Sequence, residues 1–316
     1  MIAVLCGGVG AARFLSGLLQ VVDPGDVVAI VNTGDDTVLH GLSISPDIDT
    51  VMYTLSGRVN PATGWGLAGD VFTTMDALEA MGGEAWFRLG NLDLATHLYR
   101  TGRLAEGASL SEVTSEMAKA FGLRLTVLPM SNSPVRTRLK LAGGREVAFQ
   151  EYFVRLRHGV AVEGVRFDGV ENAAPAPGVL EALSSAELIV IAPSNPVVSI
   201  DPILAVPGVR AALETRRSDV VAISPIVAGV ALKGPADRLL AELGGEASAA
   251  GVARWLSSVC SVLVVDEADA GQAPAVRRAG LDCVVTPTVM STPEVAARLA
   301  RAVLRAGGAV AATGAD

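Results

Sequence analysis

Cysteine, lysine and histidine are all scarce in this chain of 316 residues. The three cysteines form no CxxC pair and have no metal-ligand spacing, and Cys6 and Cys283 lie inside apolar, strand-like runs. This pattern predicts buried, reduced thiols. Lysine occurs only three times and is absent from the N-terminal glycine-rich turn, which excludes a phosphate loop of the Gly-Lys-Ser/Thr type. Neither His40 nor His158 has zinc-type spacing around it.

Excess basic charge and long apolar runs are missing as well. The net charge of -8 argues against a nucleic-acid scaffold, because binding to a phosphate backbone requires a basic face. Half of the residues are apolar, yet no uninterrupted apolar run approaches membrane-spanning length, so we expect no membrane partner. The opening MIAVLCGGVGAARF has no basic leader and no signal-type cleavage site, and we expect a cytoplasmic protein. The high apolar content of the chain is compatible with a homodimer.

The order of the predicted elements indicates an α/β fold. The chain begins with strand IAVLC, a glycine turn that opens a helix, and a second strand, VVAIVN; the later runs AELIVIAPSNP, SDVVAISPI, CSVLVVDEADA and LDCVVTPTVM resume this rhythm. It predicts a Rossmann-like, doubly wound, mainly parallel sheet. We expect a single α/β domain over residues 1–316, with an inserted helical and hairpin subdomain over 46–160. Within the insert, Ser109 and Glu112 form a capping box, and a hairpin turns at Gly143-Gly144.

The first predicted strand runs into a turn rich in glycine. Ligands of such sheets gather beyond the carboxyl ends of the strands, and Gly7, Gly8 and Gly10 there would let backbone amides approach a phosphate at a helix N-terminus. A dinucleotide fingerprint needs GxGxxG, whereas this turn reads GGVGAA. The alternative is a tight turn without a ligand. Arg13, one turn into the helix, is either an anion ligand or a solvated surface arginine.

Four carboxylates follow the second strand within the stretch IVNTGDDTVLHGLSISPDIDT. Asp35 and Asp36 at the strand end suit Mg²⁺ bridged to substrate phosphates, although Asn, Gly and Asp also form Asx turns. Asp47 and Asp49 follow Ser45, a predicted helix cap, and acidic residues in a first helical turn favour the helix dipole. For these last two, the structural role is the first expectation.

Two further polar stretches are candidates for ligand contact. GNLDLATH places Asp93 and His97 four residues apart on one helix face, as a ligand pair or as a local hydrogen bond. APSNP places Ser194 and Asn195 between two prolines after a buried strand, where they can read a nucleotide base or ribose or form a simple turn. The acidic run from Asp266 to Asp269 is expected at the same edge of the sheet.

Several of these stretches resemble, in the same order, one known family. They are GGVGAARF, VNTGDD, SPDIDTVMYTL, DLATH, FQEYFV, APSNPVVSIDPILAVPG and ISPI. The chain is similar over nearly its whole length to the 2-phospho-L-lactate transferases of coenzyme F-420 biosynthesis, in the actinobacterial phosphoenolpyruvate transferase type. The resemblance implies transfer of a phosphoenolpyruvyl or 2-phospholactyl group from a guanosine-diphosphate-activated donor. The acceptor is the ribityl hydroxyl of 7,8-didemethyl-8-hydroxy-5-deazariboflavin, and GMP is released.

The resemblance also suggests roles for individual residues in an Mg²⁺-dependent enzyme. Asp35 and Asp36 would carry the metal, and Asp35 and Asp49 would be catalytic. The nucleotide and its phosphates would contact Gly7, Gly8, Gly10, Arg13, Ser194 and Asn195. The deazaflavin would contact Asp49, Thr50, Arg88, Asp93 and His97.

The sequence departs from the family pattern at two places. Leu92 replaces an arginine expected to bind substrate, with Arg88 as its proposed replacement, and Ser131-Asn132 replaces an acidic pair. These departures leave open a paralogous transferase with a different phospho-acid donor. A nucleotide-sugar-binding regulator from the same superfamily is a second alternative, and SPDIDT favours the transferase over it. An NAD-dependent oxidoreductase is disfavoured by the missing third glycine.

Overall fold

The computed structural model describes residues 1–308, and its strands and helices alternate through most of the chain. The strands are β1 (Ile2–Cys6), β2 (Val27–Val31), β3 (Thr37–Leu39), β4 (Leu42–Ile44), β5 (Thr126–Pro129), β6 (Arg136–Leu141), β7 (Glu146–Ala148), β8 (Val162–Asp168), β9 (Leu188–Ile191), β10 (Val220–Ile223), β11 (Ile226–Val227), β12 (Val230–Ala231), β13 (Val262–Val265) and β14 (Asp282–Val285). The helices are α1 (Gly8–Leu18), α2 (Pro46–Leu55), α3 (Thr73–Ala80), α4 (Asn91–Ala105), α5 (Leu110–Ala120), α6 (Val179–Ser185), α7 (Asp201–Ala205), α8 (Val209–Thr215), α9 (Ala236–Glu242), α10 (Ala249–Leu256), α11 (Ala273–Arg278) and α12 (Pro293–Ala306).

The central sheet of the described chain has seven strands in the order β14-β13-β10-β9-β1-β2-β5, and every neighbouring pair is parallel. From β1 the chain first builds outward through β2 and β5, then returns to the other side of β1 and builds through β9 to β14. This confirms the predicted doubly wound α/β fold. The direction reverses between β1 and β9, and a crevice for ligands is expected at such a switch point.

Both faces of the central sheet are covered. Successive side chains of a strand point to opposite faces, and β1 shows the consequence: Ala3 and Leu5 join one hydrophobic cluster, while Val4 and Cys6 join the other. Helices α6, α7, α8 and α10 cover the first face, and α1, α2, α5 and α12 cover the second. A strand that is buried on both faces has no polar alternation, which is why these strands are almost continuous apolar runs.

The stretch 46–160 contains helices α2 to α5 and the antiparallel pair β6–β7, to which β8 adds a third strand. The capping box is confirmed, because the Ser109 side chain accepts from the Glu112 amide and the Glu112 side chain accepts from the Ser109 amide. The hairpin at Gly143-Gly144 is confirmed as well. Strand β5 also lies in this stretch but belongs to the central sheet. The division into a core and an inserted subdomain stays a prediction.

The cysteines are unpaired: Cys6 and Cys260 are buried, and Cys283 on the edge strand β14 is half-buried rather than buried. Burial raises the pKa of the Cys6 thiol, which keeps it protonated. Within residues 1–308 no single helix is long and apolar enough to span a membrane, although the segments Pro196–Ala205 and Val209–Thr215, bent by 94°, meet the length and composition requirements as a pair.

Candidate functional site

A cleft of about 610 Å³ opens at the carboxyl edge of the central sheet. It is lined by residues that follow β1, β2, β9, β10 and β14, together with residues from α1, α2, α4 and the segment after β7. The cleft therefore lies where the strand order reverses, and its volume is typical of a small-molecule site. Asp266 and Asp269, which we also expected at this edge of the sheet, do not line the cleft. Asp266 accepts hydrogen bonds from Thr288 and Ala268, and Asp269 accepts from the Ala228 amide and from Gln272.

The glycine turn brings the start of α1 against the turn after β9. Gly8 has φ +75°, a left-handed conformation that favours glycine. Gly10 allows a close backbone approach, because a Cβ atom there would lie 2.5 Å from the carbonyl oxygen of Pro193. All three predicted glycines line the cleft. The sequence prediction of a turn with a structural requirement for glycine is therefore confirmed, while its phosphate-binding role stays a prediction.

Ser194 joins the two turns at the switch point. Its hydroxyl donates to the Gly7 carbonyl oxygen at 2.9 Å and accepts from the Gly7 amide at 3.1 Å. The Gly7 amide is thus already paired within the protein. Asn195 also lines the cleft, and its side-chain oxygen accepts from the Val197 amide at 3.0 Å. Both residues hold the cleft in shape, which their spacing in the sequence did not reveal.

Asp35 and Asp47 are two buried carboxylates that line the cleft. Burial, followed by the charges of Asp47 and Asp36, raises the pKa of Asp35 well above its ordinary value. Burial raises the pKa of Asp47 to about 6, against hydrogen bonds from the Asn32 side chain and the Gly8 amide. Asp47 therefore lies beside the N-terminus of α1. The sequence had suggested only that it favours the start of its own helix, α2.

Asp36 does not line the main cleft; with Asp35 it borders a second cavity of about 250 Å³ that contains Arg136. The Ser45 hydroxyl donates to its carboxylate at 2.8 Å. Ser45 precedes α2 as predicted. Its side chain makes no capping hydrogen bond, so the prediction that it caps the helix through its side chain is wrong. The hydroxyl has a buried carboxylate as an alternative acceptor, which the local sequence pattern cannot reveal. Burial raises the pKa of Asp36 to about 7, against the charge of Arg136 and the Ser45 hydrogen bond.

Asp49 forms a buried ion pair with Arg100 of α4. Both oxygens of the carboxylate contact the guanidinium, one of them at 3.1 Å from Nη1. Arg100 is 1% exposed, and it also donates to the Ser43 carbonyl oxygen at 3.3 Å. Sequence reasoning missed Arg100. The only available signal was its position three residues after His97 on the same helix face.

His97 and Asp93 lie together on α4, as predicted. His97 Nε2 is 3.3 Å from Asp93 Oδ2, and the Tyr53 hydroxyl donates to Asp93 Oδ1 at 2.7 Å. Burial opposes ionisation of Asp93, but the neighbouring His97 and the hydrogen bond from Tyr53 hold its pKa below the usual value. Asp49, Thr50, Asp93 and His97 all line the cleft, so the structure brings this predicted group together.

The two predicted arginines have different surroundings at the cleft. Arg88 is half-buried, pairs with Asp76 and lies 3.5 Å from Glu79. Arg13 is exposed and, within residues 1–308, has no carboxylate within ion-pair distance. Leu92 is 53% exposed and does not line the cleft.

The other departure from the family pattern, Ser131-Asn132, is also away from the cleft. Ser131 donates to the Ala174 carbonyl oxygen at 2.6 Å, and Asn132 accepts from the Ser111 amide at 2.8 Å. In this structure the pair supports packing around α5 and does not contact the site.

An aromatic surface on the cleft was also missed. Its members come from distant parts of the chain, and they are Trp65, Trp86, Phe87, Phe149 and Phe153. Phe149 and Phe153 stack with their ring centres 5.5 Å apart. Flat side chains of this kind favour a flat ligand ring.

A divalent cation fits the carboxylates beside the glycine turn. Among residues 1–308 no group of three or more His, Cys, Asp or Glu side chains is arranged to hold a metal alone. Mg²⁺, however, is commonly held by one or two carboxylates together with substrate phosphates and water. Asp35 offers one such group, because its Oδ1 is buried without a hydrogen-bond partner in the described chain. Its oxygen chemistry and its like-charged neighbours are compatible with Mg²⁺.

Comparisons with known proteins agree over nearly the whole chain. The model of the family described as "2-phospho-L-lactate transferase CofD" matches residues 2–287. A "Phosphoenolpyruvate transferase" from Streptomyces griseus is 45% identical over 308 residues, which cover 96% of this chain and 97% of that protein. A "2-phospho-L-lactate transferase" from Methanosarcina mazei is 36% identical over 303 residues, with coverages of 96% and 99%.

Solved structures give the same fold. A Bacillus halodurans protein of the UPF0052 family is similar with a TM-score of 0.62 and 19% sequence identity, over 96% of this chain and 99% of that one. At this identity the likeness supports the fold alone.

Proposed function

The chain belongs to the 2-phospho-L-lactate transferase (CofD) family, and we propose that it transfers a phosphoenolpyruvyl or 2-phospholactyl group in coenzyme F-420 biosynthesis. The donor in this proposal is a guanosine-diphosphate-activated phospho-acid, and the acceptor is the ribityl hydroxyl of the deazaflavin. GMP is the leaving group. The similarity to proteins named phosphoenolpyruvate transferase favours the phosphoenolpyruvyl donor.

One observation carries the proposal: two buried carboxylates, Asp35 and Asp47, lie in the same cleft as the glycine turn before α1. A helix N-terminus favours phosphate, and a carboxylate there requires a cation before an anionic donor can approach. The aromatic surface of the same cleft suits the flat rings of guanine and of a deazaflavin. Together these features support a phosphorylated nucleotide next to a flat acceptor.

The metal in this proposal is Mg²⁺, held by Asp35. Asp47 also lines the cleft near Asp35; the expectation that Asp36 is the second ligand stays a prediction. When bound, the ion would neutralise negative charge on the diphosphate. The carboxylates of this chain would orient it. Burial raises the pKa of both Asp35 and Asp47, and for Asp35 the charges of Asp47 and Asp36 add to this, an effect that a cation would relieve.

The reaction requires positioning more than covalent chemistry. The ribityl hydroxyl oxygen attacks the phosphorus that bears the phospho-acid and its proton is released to solvent, while the bond to the bridging oxygen breaks and GMP leaves with that oxygen. Asp49 is proposed to orient the attacking hydroxyl: Arg100 holds the carboxylate in place, and each of its oxygens retains a second lone pair for the substrate. Holding both reactants in one cleft would supply part of the rate enhancement, together with electrostatic stabilisation of the developing charge.

The acceptor is proposed to bind near Thr50, Arg88, Asp93 and His97, and the nucleotide near Gly8, Gly10, Arg13, Ser194 and Asn195. Gly7 contributes mainly through its Ser194 contact, because its amide is already used. Leu92 and Ser131-Asn132 lie outside the cleft, so these departures give no reason to expect a different donor. A nucleotide-sugar-binding role stays the alternative hypothesis.

The direct test is incubation of the purified chain with the deazaflavin, Mg²⁺ and each guanylylated phospho-acid, followed by mass measurement of the products. We expect the phosphoenolpyruvyl adduct and an equal amount of GMP. Formation of no adduct from any donor would remove the transferase assignment, and binding of a nucleotide sugar without turnover would replace it with the alternative.

A further inference from the structure

Three of the seven aspartate, arginine and lysine side chains that line the cleft are neutralised by the protein itself. Asp49 is paired with Arg100, Asp93 is hydrogen-bonded by Tyr53 and lies beside His97, and Arg88 is paired with Asp76. Four charged groups then remain: the two carboxylates near the glycine turn, Asp35 and Asp47, and two cations, Arg13 and Lys233. Within the described residues, neither cation has a carboxylate oxygen within 4 Å.

Arg13 and Lys233 come from distant elements, but one loop brings them together. The Lys233 ammonium donates to the Thr63 carbonyl oxygen at 3.1 Å. The next residue, Gly64, is buried against Val9 and Arg13, and a Cβ atom on it would lie 3.7 Å from Arg13 Nη2. In the loop between α2 and α3, Thr63 therefore contacts Lys233, and the next residue, Gly64, contacts Arg13. Trp65 follows these two residues and lines the cleft.

We propose that Lys233 is a further donor-binding residue, which acts with Arg13 as a cationic clamp on the diphosphate. The inference rests on the proposed function, since it needs an anionic donor in this cleft. One ammonium donor is used by the Thr63 carbonyl, and the ammonium group has three donors in all, so two remain for phosphate oxygens. A metal at Asp35 and a clamp at Lys233 and Arg13 would balance the diphosphate charge from separate groups of residues.

The test compares Lys233→Met with Lys140→Met. Lys140 is the matched control, because it lies on β6 outside the cleft and is 3.8 Å from Glu163. Both lysines are exposed, so neither variant should lose the fold. Loss of one charge-assisted hydrogen bond should raise the KM for the guanylylated donor by about tenfold in Lys233→Met. The deazaflavin KM should stay within about twofold, and Lys233→Arg should restore most of the loss.

Binding of GDP with Mg²⁺, followed by calorimetry, separates this inference from the proposed function. Weaker GDP binding in Lys233→Met than in Lys140→Met supports the clamp even if no transferase product forms. Equal donor KM and equal GDP affinity in the two variants would overturn it. A proportional rise in both donor and deazaflavin KM would also overturn it, since that result means that Lys233 only tethers the Thr63 loop.

Discussion

Arg100 of α4 and Asp49 of α2 join two helices through a buried ion pair, with the guanidinium 1% exposed. The carboxylate lines the cleft, whereas the guanidinium does not. Arg100 therefore holds the Asp49 carboxylate from the side that faces away from the cleft. The position of a proposed catalytic carboxylate then depends on a residue that contacts no substrate.

Removal of the Arg100 charge should strongly destabilise the fold. Arg100→Met leaves Asp49 buried and unpaired, and such a change typically costs about 3–5 kcal/mol. Urea denaturation measures it. Arg124→Met is the control, because Arg124 pairs with Asp23 on the surface and should lose less than about 1 kcal/mol. Similar losses in the two variants would contradict the structural role of the buried pair.

Two Gly→Ala substitutions should change stability in opposite directions. Gly10→Ala places a Cβ atom 2.5 Å from the Pro193 carbonyl oxygen, a backbone atom, and we expect a loss of roughly 1–3 kcal/mol. Gly102 lies in α4 with nothing within 4 Å of an added Cβ, so Gly102→Ala should gain up to about 1 kcal/mol. Thermal unfolding of both variants provides the check, and a gain at Gly10 would show that the two turns are not in contact.

Asp201 should make stability depend on pH. It is half-buried near Trp255 and Arg210, and burial raises its pKa to about 6 from 3.8. The folded state then retains a proton that the unfolded state loses, so this contribution is full below about pH 4 and falls as the pH rises to about 6. At 1.36 kcal/mol per unit, the change is up to about 3 kcal/mol.

Asp201→Asn keeps the side-chain shape and has no carboxyl proton to lose. Urea denaturation at pH 4 and pH 6 should show a smaller decrease for this variant than for the native chain. Equal decreases would mean that Asp201 is ionised in the folded protein throughout that range.

Asp35 and Asp47, the cleft carboxylates near the glycine turn, should differ from Asp36 in their effect on metal dependence. Asp35→Asn should lower kcat by about a hundredfold or more, because the proposed metal loses its anionic ligand. It should not lower the melting temperature, since burial and the charges of Asp47 and Asp36 already disfavour an ionised carboxylate at this position. Asp47→Asn should raise the Mg²⁺ concentration needed for half-maximal activity.

Asp36→Asn is the comparison for both variants. It keeps an oxygen acceptor for the Ser45 hydroxyl and lies outside the cleft. A larger increase in Mg²⁺ requirement for Asp36→Asn than for Asp47→Asn would restore the metal pair that the sequence suggested.

The sheet and the edge at which its ligands collect were predictable from sequence. Apolar runs such as IAVLC and LIVI are long enough to indicate strands that are buried on both faces. The turn after each strand can be predicted from residues that are adjacent in sequence. The Asp93–His97 pair was also predictable, because both residues lie on one helix at fixed spacing.

Contacts between separate elements could not be predicted in this way. Arg100 meets Asp49 only because α4 packs against β4 and α2, and Ser45 turns to Asp36 only because the two ends of a short hairpin meet. Trp65 and Phe153 share a cleft although many residues separate them. Pairing of this kind depends on tertiary packing, which no local spacing records.

The position of β1 in the interior of the sheet, between β9 and β2, has a consequence for synthesis. Ile2 to Cys6 leave the ribosome well before the partner that completes this strand, which begins at Leu188. At about 5–20 residues per second, β1 must wait roughly 10–40 s with one edge unpaired. During that time the Gly7 turn has no Ser194 hydroxyl to hold it. A nascent chain that stalls before β9 therefore exposes an apolar strand edge that can pair with another chain.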